Sequence, residues 1–188
     1  IVIDGAGSFH EYPPLNSSGY EGESIYLAEY PDQFTPIIKN YVSVDSEKQI
    51  THNDSKTKLN FNKKLNIGQS YSAITEYLGG DFLEGGKTMG LSSYGKYNKN
   101  IPSLIKKAQG NPLFFSLAPP QDSIFNPTFS KTPPSLIPPF DRLDISQEEK
   151  DIAWKIQNDS QESVKYLIQK SLDELKLKKV CLVGGYAL

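Results

Sequence analysis

The chain has 188 residues, of which 37% are hydrophobic and 22% are charged, and its formal net charge is −2 at pH 7. This length is enough for one domain with a hydrophobic core. The small net charge creates no strong field, so we expect neither nucleic acid nor a membrane as a partner. Because no apolar run approaches the roughly 20 residues of a membrane span and no signal peptide is recognisable, we expect a cytoplasmic location.

The beginning of the chain predicts a strand, a turn and a loop. Ile1–Ile3 is a short apolar run that ends at Asp4-Gly5-Ala6-Gly7, a pattern typical of a buried strand followed by a tight turn. Residues 8–22 include Pro13-Pro14 and predict a loop.

Two further strands are predicted before a polar stretch. Glu23–Tyr30 alternates apolar and polar side chains, and Ile37-Ile38 with Tyr41–Val44 makes a second strand. Successive strands of this kind favour an antiparallel addition to a sheet. Residues 45–66 are polar and rich in lysine, which predicts a solvated loop, with a functional basic patch as the alternative.

Helical spacing begins near Gly68. Tyr71, Ile74 and Leu78 fall at i, i+3 and i+7 and therefore share one face, and Gly79 is a natural left-handed stop. Residues 101–108 predict a second, short helix.

A proline-rich excursion occupies residues 112–140, which hold eight of the 13 prolines. Proline lacks the backbone donor and fixes φ, so this stretch cannot be a regular helix or a central strand. An ordered functional excursion and a flexible insertion both fit the composition.

The last part of the chain predicts a long helix followed by a strand. Ser146 and Glu149 form a capping box, and an apolar stripe continues from Ile152 to Leu175. Val180–Val183 predicts a buried strand, with Cys181 as a packed thiol, and together these elements form an α/β crossover unit.

The two glycine-rich turns, Asp4-Gly5-Ala6-Gly7 and Gly184-Gly185, each follow a predicted strand of what should be one sheet, so we expect both to face one cleft, where α/β sheets bind ligands. Gly5 and Gly7 would let the backbone approach a phosphate, and Asp4 could hold a metal ion or orient a nucleotide. An ordinary β-turn with Asp in its usual place is the alternative. The second turn, Gly184-Gly185, is a weak signal by itself.

Residues 80–88 do not form a P-loop. That motif requires glycine where Asp81 stands, and it follows a strand, whereas this segment follows a predicted helix.

Residues 67–95 carry a more specific pattern. They contain Gly68-x-x-Tyr71-x-x-x-Thr75-x-x-Leu78-Gly79 and then Glu84-Gly85-Gly86-Lys87-Thr88-Met89-Gly90-Leu91-Ser92-Ser93-Tyr94-Gly95. This resembles the signature of the NodU/CmcH-type O-carbamoyltransferases. The Asp-Gly-x-Gly turn and the final Gly-Gly-Tyr-Ala-Leu resemble two more stretches of that family in the same order. Ser92-Ser93 departs from the Ala-Pro that the family usually has, which leaves the turn less rigid.

The resemblance implies a fold and an activity. The fold is α/β, part of the Kae1-like branch of the actin/hexokinase/Hsp70-like ATPases, with a mixed sheet flanked by helices, and residues 1–188 would span the end of the first lobe and much of the second. Similar enzymes use ATP and carbamoyl phosphate to make carbamoyl adenylate. They then transfer the carbamoyl group to a hydroxyl of a sugar or another small molecule. A homodimer is left open.

The resemblance also assigns roles to residues. Asp4 would join a divalent metal site, of iron or else magnesium, beside nucleotide phosphates bound at Gly5, Gly7, Gly184 and Gly185. Lys87 would pair with an anionic phosphate or carboxylate, and Glu84 would contact a ribose hydroxyl or help to activate the acceptor. A surface ion pair between Glu84 and Lys87 is the alternative.

Three functional readings therefore stand. The first is a fragment of an O-carbamoyltransferase that is inactive alone, because this sequence lacks the family's upstream His-x-x-x-His motif and its YrdC-like region. The second is a tRNA threonylcarbamoyl-type transferase, disfavoured by the small-molecule family's Lys-x-Met-Gly-Leu pattern. The third is a nucleotide-binding module without catalysis.

Overall fold

The computed structural model describes residues 1–5, 7–44, 50–62, 66–107, 115–117 and 144–186. In these ranges the protein is α/β, with a mixed five-stranded sheet, a two-stranded sheet and three α-helices. No helix in them is long and apolar enough to cross a membrane. The chain divides into two compact units, the first with residues 1–69, 107–116 and 165–188 and the second with residues 70–106 and 117–164.

The described elements follow one another in a simple order. A short 3-10 turn at Pro13–Leu15 separates the first two strands. The strands and helices are β1 (Phe9–Tyr12), β2 (Ser17–Glu29), β3 (Gln33–Ser43), β4 (Ile50–Asp54), β5 (Thr57–Asn62), α1 (Ile67–Tyr77), α2 (Gly85–Ser92), β6 (Ile105–Lys107), β7 (Phe115–Leu117) and α3 (Gln147–Leu175).

The five-stranded sheet of the first unit has the order β1-β2-β3-β5-β4. Strands β3 and β5 are parallel, and every other neighbouring pair is antiparallel. The predicted antiparallel pairing of the two central strands is therefore confirmed.

Strands β1, β4 and β5 lie where the sequence predicted loops, so those predictions were wrong. In β5, Leu59 and Phe61 alternate with Asn60 and Asn62, and all four are buried. Asn60 is satisfied because its Nδ2 donates to Asn40 Oδ1 at 2.8 Å and its Oδ1 accepts from Thr51 at 3.1 Å. Hydrogen-bonded polar side chains thus occupy buried positions of β5 at which apolar residues are expected in a strand inside a sheet.

One face of this sheet carries an aromatic cluster. The Tyr41 and Phe61 rings are stacked with centroids 4.7 Å apart, and Leu59 completes the buried core. Tyr12 and Ile50 pack against it. The cluster packs β3 against β5, a strand that the polar composition of residues 45–66 did not reveal in the sequence.

The second unit contains the main part of α1, all of α2 and the first part of α3. The predicted helix near Gly68 is confirmed, and Gly79 ends it with a φ of 91°. Thr88 donates to the Thr75 hydroxyl at 2.9 Å, and Tyr71 donates to Gln157 at 2.7 Å. The buried apolar side chains among the described residues of this unit are Tyr71, Ala73, Ile74, Leu78, Leu91, Ile101, Leu104, Ile105, Ile152, Ala153, Ile156 and Val164.

Helix α3 begins as predicted, and its Asp151 and Asp159 carboxylates hold the loop that follows α2. The Glu149 carboxylate accepts from the Ser146 backbone N–H at 2.9 Å, and the Ser146 hydroxyl accepts from the Glu149 N–H at 3.2 Å. Asp151 accepts from the Lys96 N–H at 3.0 Å, and Asp159 accepts from the Leu104 N–H at 2.7 Å.

Two other local predictions fail. The predicted helix over residues 101–108 contains strand β6, which pairs with β7, because pairing outweighs the weak helical pattern. Residues 180–183 form one bridge pair only, at Val183, and both Val180 and Cys181 are exposed. The prediction of a buried strand with a packed thiol was therefore wrong. Apart from β7, the proline-rich residues 112–140 lie outside the described ranges.

Replacing Asp151 with alanine should destabilise the chain by about 1–3 kcal/mol, because it removes the acceptor for Lys96 N–H, Asn98 Nδ2 and Gln147 Nε2. Asp173→Ala, on the exposed part of the same helix, is the matched control and should change stability by about 0.5 kcal/mol or less. Urea unfolding of the two variants tests this. Equal losses would show that the Asp151 contacts are not important for the fold.

Candidate functional site

The two predicted glycine turns lie side by side at the end of a short parallel pair. Val2 and Val183 form a parallel bridge, and the Ile3 N–H donates to the Val183 carbonyl at 2.8 Å. Beyond this pair, a Cβ placed on Gly185 would lie 3.4 Å from Asp4 Oδ1. The parallel direction puts both turns at the same end, as predicted, and ligands of α/β proteins collect beyond the carboxyl ends of such strands.

Two of the four predicted cofactor glycines are required by backbone packing. Gly184 has a φ of 107°, and a Cβ there would overlap the Ile3 backbone. Gly7 donates its N–H to the Glu21 carbonyl at 2.8 Å, and a Cβ would lie 2.9 Å from the same oxygen. Both glycines are therefore needed for close approach of neighbouring segments, whatever ligand the turns take.

Gly5 and Gly68 bring the first turn against the start of α1. A Cβ on Gly68 would lie 2.6 Å from the Asp4 carbonyl oxygen and 2.7 Å from the Gly5 nitrogen. A Cβ on Gly5 would meet only the Gly68 carbonyl carbon, at 3.9 Å. The glycine that opens the helix motif thus has a physical role, since any side chain there would push the turn away.

Asp4 is partly exposed, and its side chain is held by its own turn. Its Oδ1 accepts from the Gly5 N–H at 2.8 Å, which is the usual role of aspartate in a turn. Within the described ranges no group of three or more His, Cys, Asp or Glu residues could hold a metal ion. A metal at Asp4 would therefore need further ligands from outside these residues, such as the phosphates of a bound nucleotide.

Glu84 and Lys87 belong to the second unit and form an ion pair with each other. Glu84 also accepts from the Asp81 N–H at 3.0 Å. Its hydrogen bond with Lys87, followed by that with Asp81, holds the pKa of the Glu84 carboxyl below its usual value. The surface ion pair considered from the sequence is thus present, and Lys87 would have to leave Glu84 to bind an anionic ligand.

A β-bulge next to the first turn was not predicted. Glu21 pairs with Tyr41 and Ser24 pairs with Lys39, so Gly22 and Glu23 together oppose the single residue Asn40. The extra residue interrupts the regular alternation of side chains between the two faces of the sheet. Glu21 and Glu23, which would otherwise share a face, consequently lie on opposite faces. A glycine between two acidic residues inside a strand pattern was the available signal.

Glu23 is fully buried and contacts the beginning of α1. Its Oε1 accepts from the Ile67 N–H at 2.6 Å, and its exposed fraction is 1%. Burial raises the pKa of this carboxyl from 4.5 to about 7, although hydrogen bonds from Ile67 and from its own backbone N–H act in the opposite direction. Among the side chains that the structure describes, it is a titratable group that sequence reasoning missed.

Asn66, the residue before α1, also connects the start of this helix to the Asp4-Gly5 turn. Its Oδ1 accepts from the Gln69 N–H at 2.7 Å, and its Nδ2 donates to the Gly5 carbonyl at 3.2 Å. The spacing Asn66-x-x-Gln69 is that of a helix cap and was readable in the sequence. The first turn of α1, the bulge and the Asp4-Gly5 turn are therefore one connected structure within the first unit.

Glu21 faces the opposite side of the sheet and receives several donors. Ser24 Oγ and Tyr26 OH donate to its Oε1, Lys39 Nζ lies 3.2 Å from its Oε2, and His10 Nε2 lies 3.5 Å from the same oxygen. Burial opposes ionisation of Glu21, but the donors outweigh it, so the pKa of this carboxyl lies below its usual value. Glu21 is therefore a satisfied structural anion.

Comparison with known proteins leaves the family open. No family model matches this chain, and no curated protein matches it. The likeness to O-carbamoyltransferases thus depends on the motifs alone.

Gly184→Ala should destabilise the chain by about 1–3 kcal/mol, because alanine is strained at this φ and its Cβ would overlap Ile3. Gly86→Ala is the control, since a Cβ there meets nothing within 4 Å, and in the first turn of α2 it should leave stability unchanged or raise it by up to about 1 kcal/mol. Chemical denaturation measures both. A neutral Gly184→Ala would contradict the described turn.

The Glu23 carboxyl should make stability fall as pH rises from about 4.5 to about 7. In that range the folded chain keeps the proton that the unfolded chain has lost, and the dependence levels off above it. Glu23→Gln should remove this component, so the stability difference between wild type and variant should move in favour of the variant as pH rises. Glu29→Gln, at an exposed position, should leave the dependence unchanged. Identical pH profiles for wild type and Glu23→Gln would contradict the assignment.

Proposed function

We propose that this chain is the nucleotide-binding part of an O-carbamoyltransferase with a Kae1-like, actin/hexokinase/Hsp70-like fold. The observation that carries the proposal is the adjacency of the Asp4-Gly5 and Gly184-Gly185 turns at one end of a parallel pair. Turns in this position bind nucleotides in many α/β proteins. The motif of residues 67–95 supports the carbamoyl-transfer chemistry.

In this proposal the backbone of the glycine turns holds the phosphates of ATP or carbamoyl adenylate. Gly5 and Gly185 border Asp4 and offer close backbone approach. Asp4 keeps its turn through Oδ1, while no described residue donates to Oδ2, which can therefore interact with the ligand. A divalent metal would neutralise phosphate charge there when bound.

The transfer step is a nucleophilic acyl substitution. The acceptor hydroxyl oxygen forms a bond to the carbamoyl carbon, the bond from that carbon to the phosphate oxygen breaks, AMP leaves, and the hydroxyl proton passes to a base. Glu84 is the proposed base, and Lys87 is the proposed partner of an anionic phosphate or carboxylate group of the ligand. Because they pair with each other, ligand binding must separate them.

A nucleotide-binding module without catalysis is the second candidate. Its support is that Asp4 and the Glu84–Lys87 pair are satisfied by the chain itself in ordinary structural ways. The two candidates differ only in the transfer step.

Asp4→Asn should weaken ATP binding about ten-fold or more, because asparagine cannot supply the charge of Oδ2 to a phosphate-bound cation. Stability should change by about 1 kcal/mol or less, since Asn retains the Oδ1 that accepts from Gly5. Asp32→Asn, at an exposed position of the β2–β3 turn, is the control and should change neither. Calorimetric titration with magnesium ATP and thermal melting give both quantities. Unchanged ATP affinity in Asp4→Asn would make Asp4 an ordinary turn residue.

Because the chain is expected to be inactive alone, the transfer assay that distinguishes the two candidates uses the longer protein of which it is proposed to be a part, supplied with carbamoyl adenylate and a panel of sugars. Release of AMP together with a carbamoylated sugar would support the transferase. ATP binding without transfer would support the binding module, and absence of ATP binding would remove both.

A further inference from the structure

The loop that follows α2 repeats a short pattern of one aromatic and one basic residue. Tyr94-Gly95-Lys96 is followed directly by Tyr97-Asn98-Lys99, so each tyrosine has a lysine two positions later. Residues 85–121, which include this repeat, contain five lysines and no acidic residue. The net charge of −2, from which we expected no nucleic acid, therefore averages over a chain whose charges are unevenly placed.

Both tyrosines and both lysines of the repeat lie at the surface of the second unit. Tyr94 is 74% exposed and Tyr97 is 69% exposed. Lys96 and Lys99 are exposed as well, and no described carboxylate forms an ion pair with either. A single exposed aromatic residue is common and needs no explanation. Two exposed rings that alternate with two cations within six residues instead suit a ligand that has both flat faces and negative charge.

The backbone of the repeat is held in place by contacts with α3. Asp151, which is 3% exposed, accepts from the Lys96 N–H at 3.0 Å and from Asn98 Nδ2 at 3.1 Å. A Cβ on Gly95 would overlap the Lys150 carbonyl, so the loop lies directly against the helix. Because these contacts fix the loop before a ligand arrives, little ordering of its backbone is needed on binding.

Trp154 on α3 supports one of the two exposed rings. Its ring lies edge-on to that of Tyr97, with centroids 6.1 Å apart and planes at 77°, a favourable arrangement for two aromatic rings. Most of Tyr97 nevertheless stays exposed. Trp154 is the only tryptophan of the chain, so its fluorescence reports on the surroundings of Tyr97.

We propose that the two units Tyr94/Lys96 and Tyr97/Lys99 bind successive nucleotides of a single-stranded nucleic acid. Each nucleotide carries one flat base and one phosphate, which match one tyrosine ring and one lysine. Three residues of chain span at most about 10 Å, so the two units are close enough to contact neighbouring nucleotides. An acidic peptide would match the lysines but has no regular series of flat rings. In a duplex the bases are stacked on one another, which leaves no base face for a tyrosine.

This inference goes beyond the proposed function. It uses only residues of the loop after α2 and of α3, and it involves neither Asp4 nor the Glu84–Lys87 pair. It therefore stands or falls separately from carbamoyl transfer.

Titration of the 188-residue chain with short oligo(U) and oligo(dT) tests the proposal through Trp154 fluorescence. Bases that stack on Tyr97 should change this fluorescence, with a dissociation constant of roughly 1–100 µM at low salt. Two phosphate contacts should give a slope of about −1.4 for the logarithm of the association constant against the logarithm of the salt concentration. Binding of either oligonucleotide supports the proposal, and the ratio of the two affinities tells whether RNA or DNA is preferred.

Variants are compared by the fluorescence anisotropy of labelled oligo(U), which does not depend on the tryptophan. Tyr94→Ser should weaken binding about ten-fold, whereas Tyr94→Phe, which keeps the ring, should bind like the wild type. Lys96→Gln should reduce the size of the salt slope by about 0.7. Tyr30→Ser, at a tyrosine that is 98% exposed, and Lys178→Gln, at an exposed lysine, are the matched controls and should change neither quantity.

Absence of binding by the wild-type chain at low salt would overturn the proposal. Equally tight binding of polyphosphate, which has charge but no bases, would overturn it too, because the rings would then contribute nothing. The same conclusion would follow if Tyr94→Ser and Tyr30→Ser bound equally well. Tighter binding of polyglutamate than of oligo(U) would instead assign the surface to an acidic protein.

Discussion

The bulge at Gly22 and Glu23 is the constraint on which the first unit depends. Because two residues oppose Asn40, the strand presents Glu21 to one face and Glu23 to the other. On one face Glu21 accepts hydrogen bonds from Ser24, Tyr26 and Lys39. On the other face Glu23 accepts from the N–H of Ile67, the first residue of α1. Without the extra residue both carboxylates would lie on one face, and the helix start would lose its partner.

The second consequence of this arrangement is local crowding. Gly7, Gly22 and Gly68 each stand where a side chain would collide with Glu21, Asn66 or the Asp4-Gly5 peptide. At these three positions glycine therefore lets the neighbouring segments approach more closely than any side chain would allow. Such packing leaves the turn little freedom to move, which is favourable for a ligand site because less ordering is required on binding.

Helical features were readable from the sequence because their signals are local. The apolar face of α1, the stop at Gly79 and the cap at Ser146 and Glu149 depend on residues within a few positions of one another. Strand β5 was missed because its buried Asn60 becomes acceptable only when Asn40 is beside it in the sheet. The exposed Val180 was missed for a similar reason, since an apolar run predicts burial only where another element covers it.

In the candidate site, too, some features were predicted from the sequence and others depend on contacts that only the fold creates. The adjacency of the Asp4 and Gly184 turns was predicted, because both were expected to follow strands of one sheet, although residues 180–183 form only a single bridge pair. The role of Glu23 was not, because its partner amide at Ile67 lies 44 positions away and only the fold brings them together. The fold at the level of α/β with a mixed sheet is established, while the finer family assignment continues to depend on motifs.

The parallel bridge between Val2 and Val183 also constrains how the molecule assembles. Its two members come from opposite ends of the described chain, so nearly the whole polypeptide must be closed into a loop before they pair. Loop closure over such a separation is entropically unfavourable, and contacts of high sequence separation form slowly. During synthesis the Asp4 turn is made before the Gly184-Gly185 turn beside which it lies. We therefore expect the two-turn arrangement to form late in folding.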